Sequence, residues 1–200
     1  RGRLFFGRST AKAPHRLQIP FTATEAAPRV LTTRPHASNV PAMKLRSAVA
    51  LTAFLLATFL AGGIGSWATF ENVRSWYPSL VKPSWNPPSW VFGPVWTCLY
   101  VMMSCAAWRV WRRREAAAAR RVVLAYAGHL VLNALWSVLF FGLRSPGLAL
   151  LEILALWSVL AAFQRWFWRE DRVAAVLWAP YLAWVSFATA LNATIWWLNR

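Results

Sequence analysis

The sequence predicts an all-α membrane protein, a bundle of five transmembrane helices with a long lid-like loop between the first and the second. Three observations carry that prediction. Hydrophobic residues make up 58% of the 200-residue chain and charged residues only 14%, a balance outside the soluble range. Five apolar runs reach the length of about 20 residues that a helix needs to cross a hydrocarbon core. The basic residues behind the net charge of +16 lie in the gaps between these runs, so the charge reports topology and predicts no nucleic-acid partner.

Residues 1–43 differ in kind from the rest. They carry Arg1, Arg3, Arg8, Lys12, Arg16, Arg29 and Arg34 against one acid, Glu25, with Ser, Thr and Pro scattered between; this reads as a transit peptide or a disordered basic arm. Residues 44–200 hold the spans. The first, 48–67, repeats Ala53, Ala57, Ala61 and Gly65 every four residues, a stripe that lets another helix approach closely, either within the monomer or across a homodimer seam. The gap that follows is long. Pro78, Pro83, Pro87 and Pro88 prevent a plain helix there, and Trp76, Tyr77, Trp85 and Trp90 supply apolar mass to fold back onto the bundle. It reads as a lid over one mouth, with a loop anchored among headgroups as the alternative. The second span, 90–110, contains Cys98 and Cys105, two turns apart and too far for a bridge within one helix. The third, fourth and fifth spans, 122–143, 147–167 and 173–198, follow short gaps, which force neighbours to run antiparallel. Glu152, just after the Ser145, Pro146, Gly147 start of the fourth span, is expected to complement the positive end of that helix.

The basic residues also orient the bundle. Lys44, Arg46, Arg109, Arg112, Arg113, Arg114, Arg120, Arg121, Arg165, Arg169 and Arg172 fall on one side and Arg74, Lys82, Arg144 and Arg200 on the other. That 11-to-4 asymmetry places the segment before the first span and gaps two and four on the inner side.

Chemistry is concentrated on two helix faces. His129, Asn133, Trp136 and Phe140 share one face of the third span by i, i+4, i+7, i+11 spacing, and Tyr181, Trp184, Ala188 and Asn192 share one face of the fifth. Polar side chains inside a membrane are costly unless turned inward, so both faces are expected to line the interior or to bond the helices together. A cavity walled by indoles with a few amides suits a flat, largely apolar ligand. Of the 15 tryptophans, Trp67, Trp108, Trp111, Trp166, Trp168, Trp196 and Trp197 lie near span ends and read as interfacial anchors. Trp90, Trp136 and Trp184 are the cavity candidates. His129 reads either as a packing histidine or as a haem contact. No CxxC, HExxH, P-loop or GxSxG pattern occurs, so common metal, nucleotide and hydrolase chemistry has no support.

The motifs WYPSLVKPSWNPP with the following PVWTCLY, then LNALWSVLFFGLRSPGLALLEI, then PYLAWVSFATALN, in that order, resemble the translocator protein family, the tryptophan-rich sensory proteins also called peripheral benzodiazepine receptors. The match spans about residues 62–199. The resemblance implies an integral, multi-pass, often dimeric five-helix bundle that contacts membrane lipids. It further implies binding of tetrapyrroles (porphyrin, haem), sterols and related apolar ligands, in their sensing, transport or scavenging. No cofactor is required; porphyrin or haem would be bound as ligand, and no metal site is implied. In a eukaryotic cell the home would be the mitochondrial outer membrane or a plastid or secretory-pathway membrane. By motif position the ligand-binding residues would be Tyr77, Pro87, Trp90, Asn133, Trp136, Trp184 and Ala188. The resemblance also carries an enzymatic alternative, light-dependent porphyrin breakdown with Trp90 and Trp184 as redox partners. Two departures stand out: Ala193 and Thr194 occupy positions where the animal sterol pattern has aromatics, and Gly93 falls near the histidine of plant members.

Overall fold

In a computed structural model, which describes residues 40–200, the chain forms five long helices and, among the described residues, no strand. They are α1 (Val40–Phe70), α2 (Phe92–Trp111), α3 (Ala116–Ser137), α4 (Pro146–Glu170) and α5 (Arg172–Leu198). Each is long and apolar enough to cross a membrane. The expectations for the basic segment 1–43 fall almost wholly outside the described residues.

The helices close into a ring. α1 packs on α2 and α3, α5 on α2 and α4, and α3 on α4. Large apolar side chains face outward on every side, among them Leu56, Leu60, Val131, Leu151 and Val176. In water such a surface would aggregate; in a bilayer it meets lipid tails as apolar as itself. Association therefore has to come from close packing and buried polar bonds. Both are present. Tyr126 and Thr58 hydroxyls lie 2.6 Å apart, and Ser104 donates to Thr58 Oγ1 at 2.9 Å, so one buried hydroxyl cluster ties α1, α2 and α3. Gly65 lets α1 approach α3: a Cβ there would lie 3.1 Å from Ser137 Oγ. Of the small-residue stripe on α1, Gly65 faces the bundle and Ala61 is half-buried, while Ala53 and Ala57 are exposed.

α3 does not simply end at Ser137. It widens into one π-helical turn, Val138–Gly142, in which the Leu143 amide reaches the Val138 carbonyl at 2.8 Å. Such a turn is held from outside. Asn72, just beyond α1, donates to the Phe141 carbonyl at 2.9 Å, and its own carbonyl oxygen accepts from Arg144 Nε at 2.9 Å. Arg144 takes φ 51°, the left-handed conformation that turns the chain before Pro146 opens α4. Glu152 lies well beyond the first turn of α4, and neither carboxyl oxygen has a partner; it caps nothing, because the exposed amides of a helix start belong to its first four residues.

At the opposite end, gaps two and four meet, which confirms that they share a side. Asp171 accepts from the Val173 and Ala174 amides at 2.9 and 3.3 Å, capping α5. Arg109 and Arg113 reach the same carboxylate at 3.0 and 3.2 Å, and Arg114 pairs with Glu170. Burial alone would raise the Asp171 carboxyl, but Arg109 and the two amides outweigh it and hold the carboxyl below its ordinary value. Asp171→Ala should cost about 2 kcal/mol, through the lost cap and the stranded Arg109. The depressed folded value means that this contribution is complete above the unfolded carboxylate value of about 3.9 and fades as pH falls through the folded one. Thermal melts in detergent should show the wild type losing its advantage over Asp171→Ala below about pH 4.

Candidate functional site

A cavity of about 800 Å³ opens inside the ring at the end where residues 71–91 join α1 to α2. Each wall follows from a local periodicity. α2 contributes Phe92, Trp96 and Tyr100, one residue per turn on a single face; α3 contributes Asn133 and Trp136; α5 contributes Trp184 and Ala188. Phe140 and Phe141 come from the wide turn, which displaces both rings relative to a regular helix. On the α1 side the lining is mostly small, Ala61, Gly62, Gly63, Gly65, Ser66 and Thr69, between Phe59 and Phe70.

The inward faces of α3 and α5 meet through two polar bonds. Asn133 Nδ2 donates to the Tyr181 hydroxyl at 2.8 Å, and Trp136 Nε1 donates to Asn192 Oδ1 at 3.0 Å. Asn192 in turn donates to the Pro146 carbonyl at 2.8 Å, tying α3, α4 and α5 at one residue. These bonds fix the rings that face the cavity. Trp136 stacks on Phe140 with centroids 5.2 Å apart at 28°, and Phe92 meets Trp184 edge-on at 5.9 Å. Trp96 packs between Tyr100 and Tyr181.

Residues 71–91 lie against this end of the bundle by side-chain contacts. Trp76 packs edge-on against Phe140, Tyr77 against Phe140 and Phe141, and Trp85 against Phe187. The Asn199 side chain brackets Val81, accepting from its amide and donating to its carbonyl, each at 2.9 Å. Lys82 Nζ donates to the carbonyls of Tyr77, Pro78 and Leu80, so its charge is spent folding the loop on itself. Tyr77 donates to Asn86 Oδ1 at 2.8 Å. Burial pushes the Tyr77 hydroxyl up, which keeps it a donor at any physiological pH.

The residues expected from sequence divide by position. Tyr77, Asn133, Trp136, Trp184 and Ala188 line the cavity. Pro87 is half-buried in the loop and Trp90, in the tight turn Ser89–Val91 before α2, is 73% exposed; neither is among the lining residues. His129 lies deeper, packed against Tyr126, Phe163, Trp178 and Tyr181, with Nδ1 donating to the Tyr126 carbonyl at 2.6 Å and Nε2 without a partner. It does not line the cavity either. Sequence reasoning missed Trp96, Tyr100 and Phe92, whose common face on α2 was a legible signal, and Phe141, whose position depends on the wide turn. Among the described residues the one charged lining residue is Arg74, at the loop end. Among the described residues the lining offers no histidine, cysteine or methionine, and no three His, Cys, Asp or Glu side chains gather.

Five membrane-spanning helices in a closed ring around an aromatic cavity define an integral, multi-pass membrane protein with an internal ligand-sized chamber. Comparison with known proteins gives the family: residues 53–198 match the TspO/MBR family, to which the chain belongs. It is similar to the tryptophan-rich protein TspO of Chlorobaculum tepidum, 43% identical over 142 residues that cover 69% of this chain and 88% of the relative. It is also similar to the human translocator protein, 39% identical over 159 residues, 78% of this chain and 89% of the relative. The tryptophan-rich sensory protein of Cereibacter sphaeroides is 39% identical over 140 residues, 69% of this chain and 87% of the relative.

Proposed function

We propose that the chain binds tetrapyrroles and related flat, apolar ligands such as sterols within the bilayer and serves in their sensing, transport or scavenging. The observation that carries this reading is the composition of the cavity wall. Trp96, Trp136, Phe140 and Trp184 offer ring faces and edges on several sides of one chamber of about 800 Å³, and among the described residues Arg74 is its only cation. A planar macrocycle gains dispersion and stacking from such walls, and its desolvation is nearly complete. A single guanidinium at the mouth suits the carboxylate side chains of a porphyrin, which cannot enter an apolar chamber unpaired. With Trp76, Tyr77 and Trp85 packed on the bundle, residues 71–91 serve as the lid. The small residues of α1 and the half-buried Ala188 leave the room that the ligand fills.

The ligand needs no resident cofactor and no metal-ligating side chain from the wall; binding rests on shape, stacking and one charge. Light-dependent porphyrin breakdown is the weaker reading, since Trp90, its second indole, is 73% exposed and away from the cavity wall.

Protoporphyrin titrated into the purified protein, followed by tryptophan quenching, tests the assignment. Trp184→Ala should weaken binding about tenfold, the value of one lost aromatic pair. Ala188→Trp should weaken it further by filling the chamber, with the melting temperature little changed. Arg74→Gln should lower affinity for protoporphyrin but not for its dimethyl ester. Unchanged affinity in both Trp184→Ala and Ala188→Trp would place the ligand elsewhere.

A further inference from the structure

A second, smaller recess lies on the lipid-facing side of the α4–α5 pair, away from the chamber. Its volume is about 420 Å³. On α4, Trp157, Ala161, Gln164 and Trp168 recur at i, i+4, i+7, i+11 and therefore form one face. Arg165 and Arg169 flank that row, and Leu182 of α5 forms the facing wall. Ala161 is the reason for the recess: a methyl group stands between two indoles, so the groove is open where its neighbours are bulky. Trp157 is pinned by its Nε1 donating to Ser186 Oγ at 2.8 Å, and Trp168 by the Arg172 guanidinium 4.3 Å above its ring.

The groove is polar at one end only. Trp157 and Trp168 are separated by about 16 Å along the helix, roughly half of a hydrocarbon core, and the arginines lie at the Trp168 end. That is the end where gaps two and four meet. Among the described residues no acid lines the groove, and neither Arg165 nor Arg169 makes an ion pair. The neighbouring acids Glu170 and Asp171 are engaged by Arg114 and by Arg109 and Arg113. One buried acceptor is also left over. Gln164 Nε2 donates to the Ala175 carbonyl at 3.2 Å, but Gln164 Oε1 has no partner.

We infer that this groove is a binding site for one anionic glycerophospholipid on the basic side of the membrane, its phosphate held by Arg165 and Arg169 and an acyl chain lying over Ala161 toward Trp157. The shape selects a lipid over a free anion, because two unpaired guanidiniums continue directly into an apolar channel that an inorganic ion would leave empty. The occupant is distinct in place and chemistry from the tetrapyrrole proposed for the chamber, and the inference stands whether or not that reading holds.

The full chain, purified and equilibrated with equal phosphatidylglycerol and phosphatidylcholine, tests the site by native mass spectrometry of retained lipid. One phosphatidylglycerol is expected to be retained with at least about fivefold preference, given about 1 kcal/mol per basic residue near an anionic surface. Arg165→Gln/Arg169→Gln should abolish that preference, and Ala161→Leu should abolish retention with the charge unchanged. Arg120→Gln/Arg121→Gln, which removes the same charge elsewhere on the same side, should leave it intact. Melting curves in lipid-free detergent establish that each variant is folded. Retention unaffected by Ala161→Leu, or lost equally in Arg120→Gln/Arg121→Gln, would overturn the site in favour of diffuse surface attraction. Displacement of the lipid by millimolar inorganic phosphate would reduce it to an anion site.

Discussion

Trp136→Ala should be the most damaging single substitution in the chamber wall, with a loss of about 3 kcal/mol in stability, the range for truncating a large aromatic side chain that is only partly buried. Three contributions converge on it. The indole stacks on Phe140, meets Phe141 edge-on at 6.0 Å, and donates to Asn192. Without it, Asn192 Oδ1 is left unpartnered in a residue that is 1% exposed, and the two rings of the wide turn lose the surface that positions them. Trp136→Phe separates these effects. It keeps the ring contacts and strands only the amide, so it should cost about 0.6 kcal/mol, the average for interhelical hydrogen bonds in membranes, and no more than about 1.7 kcal/mol. Asn192→Leu also loses the bond to the Pro146 carbonyl and should cost more, and the Trp136→Phe/Asn192→Leu double variant should cost less than the sum, because both singles break the Trp136–Asn192 bond. Fully additive losses in detergent melts would show that the Trp136–Asn192 bond does not couple α3 to α5. Tetrapyrrole affinity should follow the ring and not the bond: about tenfold weaker in Trp136→Ala, nearly unchanged in Trp136→Phe.

The same pair shows what the sequence could and could not disclose. That α3 and α5 turn amides inward was readable, because a membrane penalises an outward Asn133 or Asn192 and helical spacing then assigns the rest of each face. The partners were not readable. Asn133 bonds Tyr181 while Trp136 bonds Asn192, a register that only the ring closure of five helices fixes. Span number and sidedness were likewise legible, since apolar length and basic gaps are one-dimensional signals. Span ends were less so. α1 extends over Val40–Phe70 and α3 begins at Ala116, because alanines and arginines continue a helix well past the apolar run that locates it. The wide turn left no trace, as VLFFG has the apolarity of the helix it interrupts, and the side chain that bonds to it is Asn72, some seventy residues earlier in the chain. Trp90 illustrates the limit most sharply. Its proline-rich setting marks it as a candidate, yet regular helix starts only at Phe92, and the tight turn before it carries the Trp90 ring outward while Trp96, four residues into the helix, faces in.

Gly62→Ala should close the chamber from behind. A Cβ built at Gly62 overlaps the outer half of the Tyr100 ring, its nearest atoms being Tyr100 Cε2, Cζ and Oη. Glycine is required here for proximity and not for backbone freedom, since residue 62 lies inside regular helix. The added methyl has two outlets. Either α1 moves off α2, which strains the Thr58, Ser104 and Tyr126 hydroxyl cluster one turn away, or the Tyr100 ring swings toward the chamber that it already lines. Overpacking of this kind costs about 1–3 kcal/mol, and either response disturbs the Tyr100 contact with Trp96 at 5.4 Å. A larger residue, Gly62→Leu, should abolish tetrapyrrole binding outright. The three nearest atoms all belong to the Tyr100 side chain, so Tyr100→Leu, which removes all three of them, should rescue Gly62→Ala: stability recovers, and chamber volume with it. A rescue seen in melts but absent from porphyrin titrations would assign the Tyr100 ring a direct part in holding the ligand. Failure of Tyr100→Leu to rescue stability would show that α1 had moved as a body, and that the approach of α1 to α2 at Gly62, not the ring behind it, sets the dimensions of the chamber.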